Sequence, residues 1–87
     1  MLFLKRRKTL KKLIDKVREI GLPEKDVDEA LENLYYNEYG LCLDTIVTQL
    51  YELSIPINND IYDSIAHAAT IMKIDNTEYS FLKELIK

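Results

Sequence analysis

Residues 10–23 read LKKLIDKVREIGLP, and this stretch decides the fold class. Its apolar residues recur at the spacing of one face of an α-helix, with basic side chains around the rest: Leu10, Leu13, Ile14, Val17 and Ile20. Gly21, followed by Leu22 and Pro23, is typical of a left-handed helix C-cap with a hydrophobic contact behind it. The stretch therefore predicts an amphipathic helix, a sharp stop and the start of a second helix at Pro23.

The rest of the chain continues this helical pattern. A third helix is predicted from the Asn37 to Gly40 break to Leu53, a fourth from Asn58 or Asn59, and a short last one soon after Asp75. The predicted core positions follow helical spacing: Val27, Ala30, Leu31 and Leu34; Leu43, Ile46, Val47, Leu50 and Tyr51; Ile61, Ile65, Ala68, Ala69 and Met72; Phe81, Leu82, Leu85 and Ile86. Between the third and fourth helices, Ile55-Pro56-Ile57 is predicted to be extended because proline disfavours helix before it.

Length and composition bound the architecture and the compartment. With 87 residues, 47% of them hydrophobic, the chain can bury one core and is too short for two domains. We therefore predict a single all-α domain over residues 1–87, a compact bundle of four to five short helices, with a monomer favoured. Because no apolar run can cross a bilayer and the lone Cys42 fits a reducing compartment, we predict a cytoplasmic protein without membrane contact.

The residues that catalysis or metal binding would need are scarce. The chain has one histidine, His67, which is predicted to face solvent, and one cysteine, Cys42. No serine lies in a glycine-rich elbow, and one Cys with one His cannot supply the ligands of a zinc site. Asp26-Val27-Asp28 lacks the glycine and glutamate of a calcium loop. We predict no catalytic residue, no cofactor, no metal and no enzymatic activity.

Charge is distributed unevenly along the chain. Residues 1–18 carry eight basic residues against Asp15, and residues 19–72 carry eleven acidic residues against Lys25 alone. Three interpretations of the basic first helix stay open. Its charges can pair with the acidic second or third helix, contact a partner protein, or bind nucleic acid or an anionic membrane surface.

The acidic, tyrosine-rich middle of the chain is the candidate functional site. Tyr35, Tyr36 and Tyr39 are too close in sequence to face one core, so at least one ring should reach solvent. Tyrosine rings among carboxylates are typical of a binding hot spot with an electrostatic rim. The alternative is that the rings pack at the edge of the core beside an ordinary acidic helix face. The predicted partner-binding residues are Asp28, Glu29, Glu32, Tyr35, Tyr36, Glu38 and Tyr39.

Four short segments occur in order between residues 37 and 82: Asn37-Glu38-Tyr39-Gly40-Leu41-Cys42-Leu43-Asp44, Gln49-Leu50-Tyr51-Glu52, Ile55-Pro56-Ile57 and Tyr79-Ser80-Phe81-Leu82. Their order and spacing resemble the MafI family of immunity proteins from bacterial polymorphic toxin systems, over roughly residues 22 to 82. The apolar residues of the first three segments are interpreted as core and chain geometry: Leu41, Leu43, Leu50, Ile55 and Ile57.

The resemblance implies a protein that binds and neutralises the C-terminal toxin domain of a cognate secreted toxin. It implies a nuclease as the toxin, with ribonuclease the first class to consider, and occlusion of the active site or substrate cleft as the mechanism. In that case the chain has a protein partner and no direct contact with nucleic acid. The alternative, of a different class, is a small helical nucleic-acid-binding regulator that uses the basic N-terminal helix.

Overall fold

Four α-helices and two short 3₁₀ helices make up the described part of the chain. The structure is a computed structural model that describes residues 2–87, with side chains described from residue 5 onward. The helices are α1 (Leu2–Glu19), α2 (Glu24–Tyr35), α3 (Tyr39–Glu52), α4 (Asn59–Ile71), η1 (Asn76–Glu78) and η2 (Ser80–Leu85). The predicted all-α bundle is confirmed, although its last element consists of two 3₁₀ turns. No helix within residues 2–87 is long and apolar enough to span a membrane.

A single cluster of apolar side chains joins all four α-helices. The predicted stripe of α1 is buried at Leu10, Leu13, Ile14 and Val17, and Ile20 packs at the margin of the cluster. Helix α1 contacts α2, α3 and α4, so it holds the other three together. Burial of this stripe, rather than helix propensity alone, stabilises so short a bundle.

The four α-helices end in the same hydrogen-bonded turn, in which one residue has a positive φ. These residues are Gly21 (114°), Asn37 (60°), Ser54 (50°) and Lys73 (58°). In each turn the next residue donates its N–H to a carbonyl five residues back: Leu22 to Val17 (3.0 Å), Glu38 to Asn33 (2.8 Å), Ile55 to Leu50 (3.0 Å) and Ile74 to Ala69 (2.8 Å). This is the Schellman arrangement, which satisfies carbonyls that a helix end otherwise leaves unpaired. The prediction of such a cap at Gly21 is confirmed.

The segment between α3 and α4 is extended, as predicted from Pro56. Ile55 and Ile57 are buried whereas Pro56 is exposed, which is the alternation of an extended chain. Ile57 forms an isolated parallel bridge with Ile86, since its N–H donates to Leu85 (3.0 Å) and its carbonyl accepts from Lys87 (3.1 Å). Asn58 then caps α4 by accepting the N–H of Ile61 at 2.8 Å, as its sequence position predicts.

Three predicted core residues are instead exposed. Tyr51 is 42% exposed and Leu41 is 52% exposed, and Phe81 also reaches solvent. Tyr51 lies at the border of the α3 stripe, where its ring packs edge to face on Phe81 with centroids 4.9 Å apart. Leu41 lies about 200° around the helix from Leu43, at 100° per residue, so it cannot share the buried face. The assignment of these three side chains to the core was wrong.

Candidate protein-binding surface

Two neighbouring tyrosines project from the end of α2. Tyr35 is the last residue of the helix and Tyr36 is its C-cap, and their side chains are 75% and 63% exposed. Their rings contact each other edge to face, with centroids 5.1 Å apart and planes at 85°. Both rings lie outside the core cluster, directly before the turn at Asn37. The prediction that at least one tyrosine reaches solvent is confirmed for both.

Tyr39 has a different role from its neighbours, since it is 9% exposed and belongs to the core cluster. Its hydroxyl donates a 3.2 Å hydrogen bond to Oδ1 of Asn37, and the same oxygen accepts from the guanidinium of Arg7. Asn37 thus links α1 to the joint between α2 and α3. The sequence placed Tyr39 on the binding surface beside Tyr35 and Tyr36, but the structure buries it under the joint that supports them.

Three of the predicted acidic residues are exposed beside the tyrosine pair. Asp28 and Glu32 lie on α2 at four-residue spacing before Tyr36, so they share a helix face with it. Glu38 follows the turn and is the N-cap residue of α3. In the part of the chain that the structure describes, none of these three carboxylates is in an ion pair or a side-chain hydrogen bond. We refer to Asp28, Glu32, Tyr35, Tyr36 and Glu38 as the acidic tyrosine surface.

The remaining predicted residue, Glu29, is exposed but lies at the interface between α2 and α3. Its Oε2 accepts a 3.3 Å hydrogen bond from the Thr45 hydroxyl, which in turn accepts from the side-chain amide of Asn33 at 3.0 Å. One turn earlier, the Gln49 amide donates to Oδ1 of buried Asp26 at 3.1 Å. These contacts form a polar seam between α2 and α3. Glu29 therefore has a hydrogen-bond partner, whereas within the described residues the carboxylates of the acidic tyrosine surface have none.

This seam was not among the features predicted from the sequence, although the spacing of its residues carries a signal for it. Its members on α2 are spaced by three and four residues, at positions 26, 29 and 33, and those on α3 by four, at 45 and 49. Two such polar stripes facing each other predict an interface with hydrogen bonds. Acidic and amide side chains usually lie in contact with solvent, so spacing alone does not distinguish such an interface from an exposed helix face.

The basic charges of α1 are partly used within the fold. Lys16 pairs with Asp60 of α4 at 3.0 Å and donates to Ser64 at 2.8 Å, while Arg18 makes two hydrogen bonds to Glu24 of α2 at 2.8 and 2.9 Å. Lys11 pairs with Asp15 within α1. The predicted pairing of α1 with α2 therefore occurs, through Arg18 and Glu24. Among the described side chains α1 has no ion pair with α3, and it pairs instead with α4 through Lys16 and Asp60. Lys5, Lys8 and Lys12 are exposed, and within residues 5–87 they have no carboxylate partner.

The chain's one cysteine and one histidine lie far from a catalytic arrangement in the sequence, and the structure places them on different helices. Cys42 is buried on α3, and this burial raises the pKa of its thiol to about 12. A nucleophilic cysteine needs a lowered pKa in an electropositive, accessible setting. His67 is exposed on α4, as predicted. Among the described residues, no three His, Cys, Asp or Glu side chains are grouped as a metal site requires.

Comparison with known proteins yields no match to this chain among protein-family models, curated proteins or solved structures. The case for a function therefore depends on the residues themselves.

Proposed function

We propose that this protein is an immunity protein, which binds the C-terminal toxin domain of a cognate bacterial polymorphic toxin and neutralises it stoichiometrically. The observation that carries the proposal is the exposed pair Tyr35 and Tyr36 beside carboxylates without partners. Tyrosines supply large contact area at low cost in side-chain entropy and are enriched among binding hot spots. The joint behind them is linked to α1 by the hydrogen bond between Arg7 and Asn37.

The charge of this surface defines the chemistry of the partner. Asp28, Glu32 and Glu38 are free to meet a basic surface, and such a surface lines the cleft in which a nuclease holds phosphates. A nuclease is therefore the expected toxin, with ribonuclease the first class to test. The carboxylates would take the place of substrate phosphates, either within the cleft or at its edge, and the tyrosines would anchor the contact. Cytoplasmic location follows from this role.

The order of the segments between residues 37 and 82 supports the same proposal through its similarity to the MafI family. Within these segments Leu43, Leu50, Ile55 and Ile57 are buried and Leu41, Tyr51 and Phe81 are exposed, so the similarity concerns mainly the scaffold. The acidic tyrosine surface lies mostly outside them. This separation fits a family in which one fold carries different surfaces for different partners.

Inhibition of the toxin tests the proposal directly. If the open reading frame upstream of this chain's gene encodes a large secreted protein with a toxin-like C-terminus, that C-terminal domain is the one to use. Its enzymatic activity should fall in proportion to added protein and vanish near one equivalent, and association should slow as salt is raised. Full activity in the presence of a large excess of this protein would exclude the proposed function.

A second candidate function is supported by a different observation. Lys5, Lys8 and Lys12 are spaced along one exposed face of α1, where they could contact nucleic-acid phosphates. A mobility shift with RNA or DNA that weakens with salt and is lost on changing Lys8, Lys11 and Lys12 to glutamate would support a nucleic-acid-binding regulator. The absence of any shift at low salt would remove this candidate. These three exposed lysines make a small footprint, so we place this candidate second.

A further inference from the structure

A cavity of about 340 Å³ opens at the N-terminal half of α3, away from the polar seam. One side is formed by α3 through Gly40, Leu43, Asp44 and Val47, which recur at helical spacing, and the other by the chain that follows α4. The residues of the second side are Ile74, Asp75, Glu78 and Tyr79. The volume is at the low end of the range of roughly 300–1,000 Å³ for ligand pockets. It suits one long side chain better than a cofactor.

The lining combines an apolar floor with an acidic rim. Leu43, Val47 and Tyr79 are buried and Ile74 is half-buried, whereas Asp44, Asp75 and Glu78 are exposed. Oδ2 of Asp75 accepts a 2.8 Å hydrogen bond from Thr77, and neither Asp44 nor Glu78 has a side-chain partner within the described residues. Among the described side chains that line the cavity there is no lysine or arginine, so the charged groups on this rim are all negative.

This combination specifies a cation with an aliphatic stem. Arginine and lysine lay their methylene groups along apolar surface while the charged head stays near water, and a buried tyrosine ring adds a favourable contact for the head. A bare metal ion fits poorly, since the three carboxylates are not grouped as metal ligands. We propose that the cavity is a docking pocket for a single arginine or lysine side chain of a partner protein. We call it the cation pocket.

The cation pocket lies close to Glu38, a residue of the acidic tyrosine surface. A neighbouring depression shares Gly40 and Ile74 with the cation pocket, and its other lining residues are Arg6, Asn37, Glu38, Tyr39, Leu41 and Met72. The two sites therefore follow one another along the joint between α2 and α3. The identification of the toxin as the source of the basic side chain rests on the proposed function. The proposal that the pocket accepts a basic side chain does not depend on that function.

Gly40 provides a way to close the pocket without touching its charges. A Cβ built on Gly40 meets nothing within 4 Å, and its backbone does not require glycine. Gly40→Phe should place a ring at the mouth of the pocket, and Gly40→Ala is the matched control that leaves it open. Asp44→Asn combined with Glu78→Gln removes two rim charges and keeps the shape, which gives an independent test should Gly40→Phe disturb the fold.

The experiment is an NMR titration of the ¹⁵N-labelled full chain with N-acetyl-L-argininamide. We expect saturable shifts at the amides of Gly40, Asp44, Val47 and Glu78, with a dissociation constant on the order of millimolar for so small a probe. The neutral isostere N-acetyl-L-citrullinamide should bind at least about fivefold more weakly, because it lacks the charge. Gly40→Phe and the Asp44→Asn, Glu78→Gln pair should each abolish the saturable shifts, and Gly40→Ala should retain them.

Several outcomes would overturn the proposal. Equal binding of the citrulline probe would make the pocket an apolar site, and shifts that depend on protein concentration without probe would assign it to a second copy of the chain. Shifts that never saturate would show that it is no site. Because no toxin is present in the titration, its result is independent of the inhibition test for the proposed function.

Discussion

Gln49 and Asp26 meet across the interface of α2 and α3, where the glutamine amide donates a 3.1 Å hydrogen bond to a carboxylate that is 5% exposed. Within the described chain, the second oxygen of Asp26 has no hydrogen-bond partner. Asp26 also lies in the first turn of α2, where a negative charge interacts favourably with the helix dipole. Gln49 is therefore the side chain that donates a hydrogen bond to the buried Asp26 carboxyl group.

Gln49→Leu should lower the free energy of unfolding by about 1–3 kcal/mol, because it leaves the Asp26 carboxylate buried without its donor. Urea denaturation followed by circular dichroism measures the loss. Asp26→Leu combined with Gln49→Leu removes both polar partners and should recover most of it. If the double variant is as unstable as the sum of the two single variants, the pair does not interact.

Ser54→Gly should raise the free energy of unfolding by about 0.5–1 kcal/mol. Ser54 holds a φ of 50°, which costs most residues energy and costs glycine little, and its side chain is exposed. Thr48→Gly is the matched control, since Thr48 is exposed in the interior of α3 and should lose stability on the same change. Destabilisation at both positions would contradict the left-handed turn at Ser54.

The two glycines should respond in opposite directions to alanine. Gly21→Ala should cost about 1–2 kcal/mol because Gly21 holds a φ of 114° at the end of α1. Gly40→Ala should instead stabilise the protein by up to about 1 kcal/mol, since position 40 is helical with free space around its Cα. Thermal unfolding of the two variants side by side measures the contrast. Equal effects would contradict the cap assigned to Gly21.

Cys42 should resist thiol reagents in the folded protein. Burial raises the pKa of its thiol from 9.0 to about 12, so at pH 8 almost no thiolate is present and the sulfur is inaccessible. Modification by DTNB at pH 8 should therefore be slow without urea and fast in unfolding urea. By linkage, the thiol favours folding fully below pH 9 and loses this contribution as the pH rises towards 12. Rapid reaction of the folded protein would contradict this burial.

The helices could be predicted from the sequence because their apolar residues keep helical spacing. The apolar stripe of α1 predicts a helix, and Gly21 predicts where it ends, since a glycine after the last apolar position marks a helix end. The turns at Ser54 and Lys73 could not be predicted in this way, because neither residue type favours a positive φ. Packing of the helices on either side imposes the conformation there.

The candidate site could be predicted only in part, and for a physical reason. Tyr35, Tyr36 and Tyr39 are so closely spaced that the three rings cannot all lie in the core, and this much follows from the sequence. Which ring is buried depends on the angle of the joint, where Asn37 accepts hydrogen bonds from Tyr39 and from Arg7, a residue 30 positions earlier in the chain. The cation pocket depends on contact between α3 and residues 74–79, which local sequence does not encode.

The most direct test of the central claim is an isothermal titration of the upstream-encoded toxin domain with this protein and with three variants. Tyr35→Ala and Tyr36→Ala should each weaken binding by roughly tenfold or more, as expected for hot-spot aromatic residues. Tyr51→Ala, which truncates an exposed tyrosine at the far end of α3, should leave the affinity unchanged. A one-to-one complex with this order of affinities is the predicted result. Equal affinities for the wild type, Tyr35→Ala and Tyr36→Ala would contradict the account.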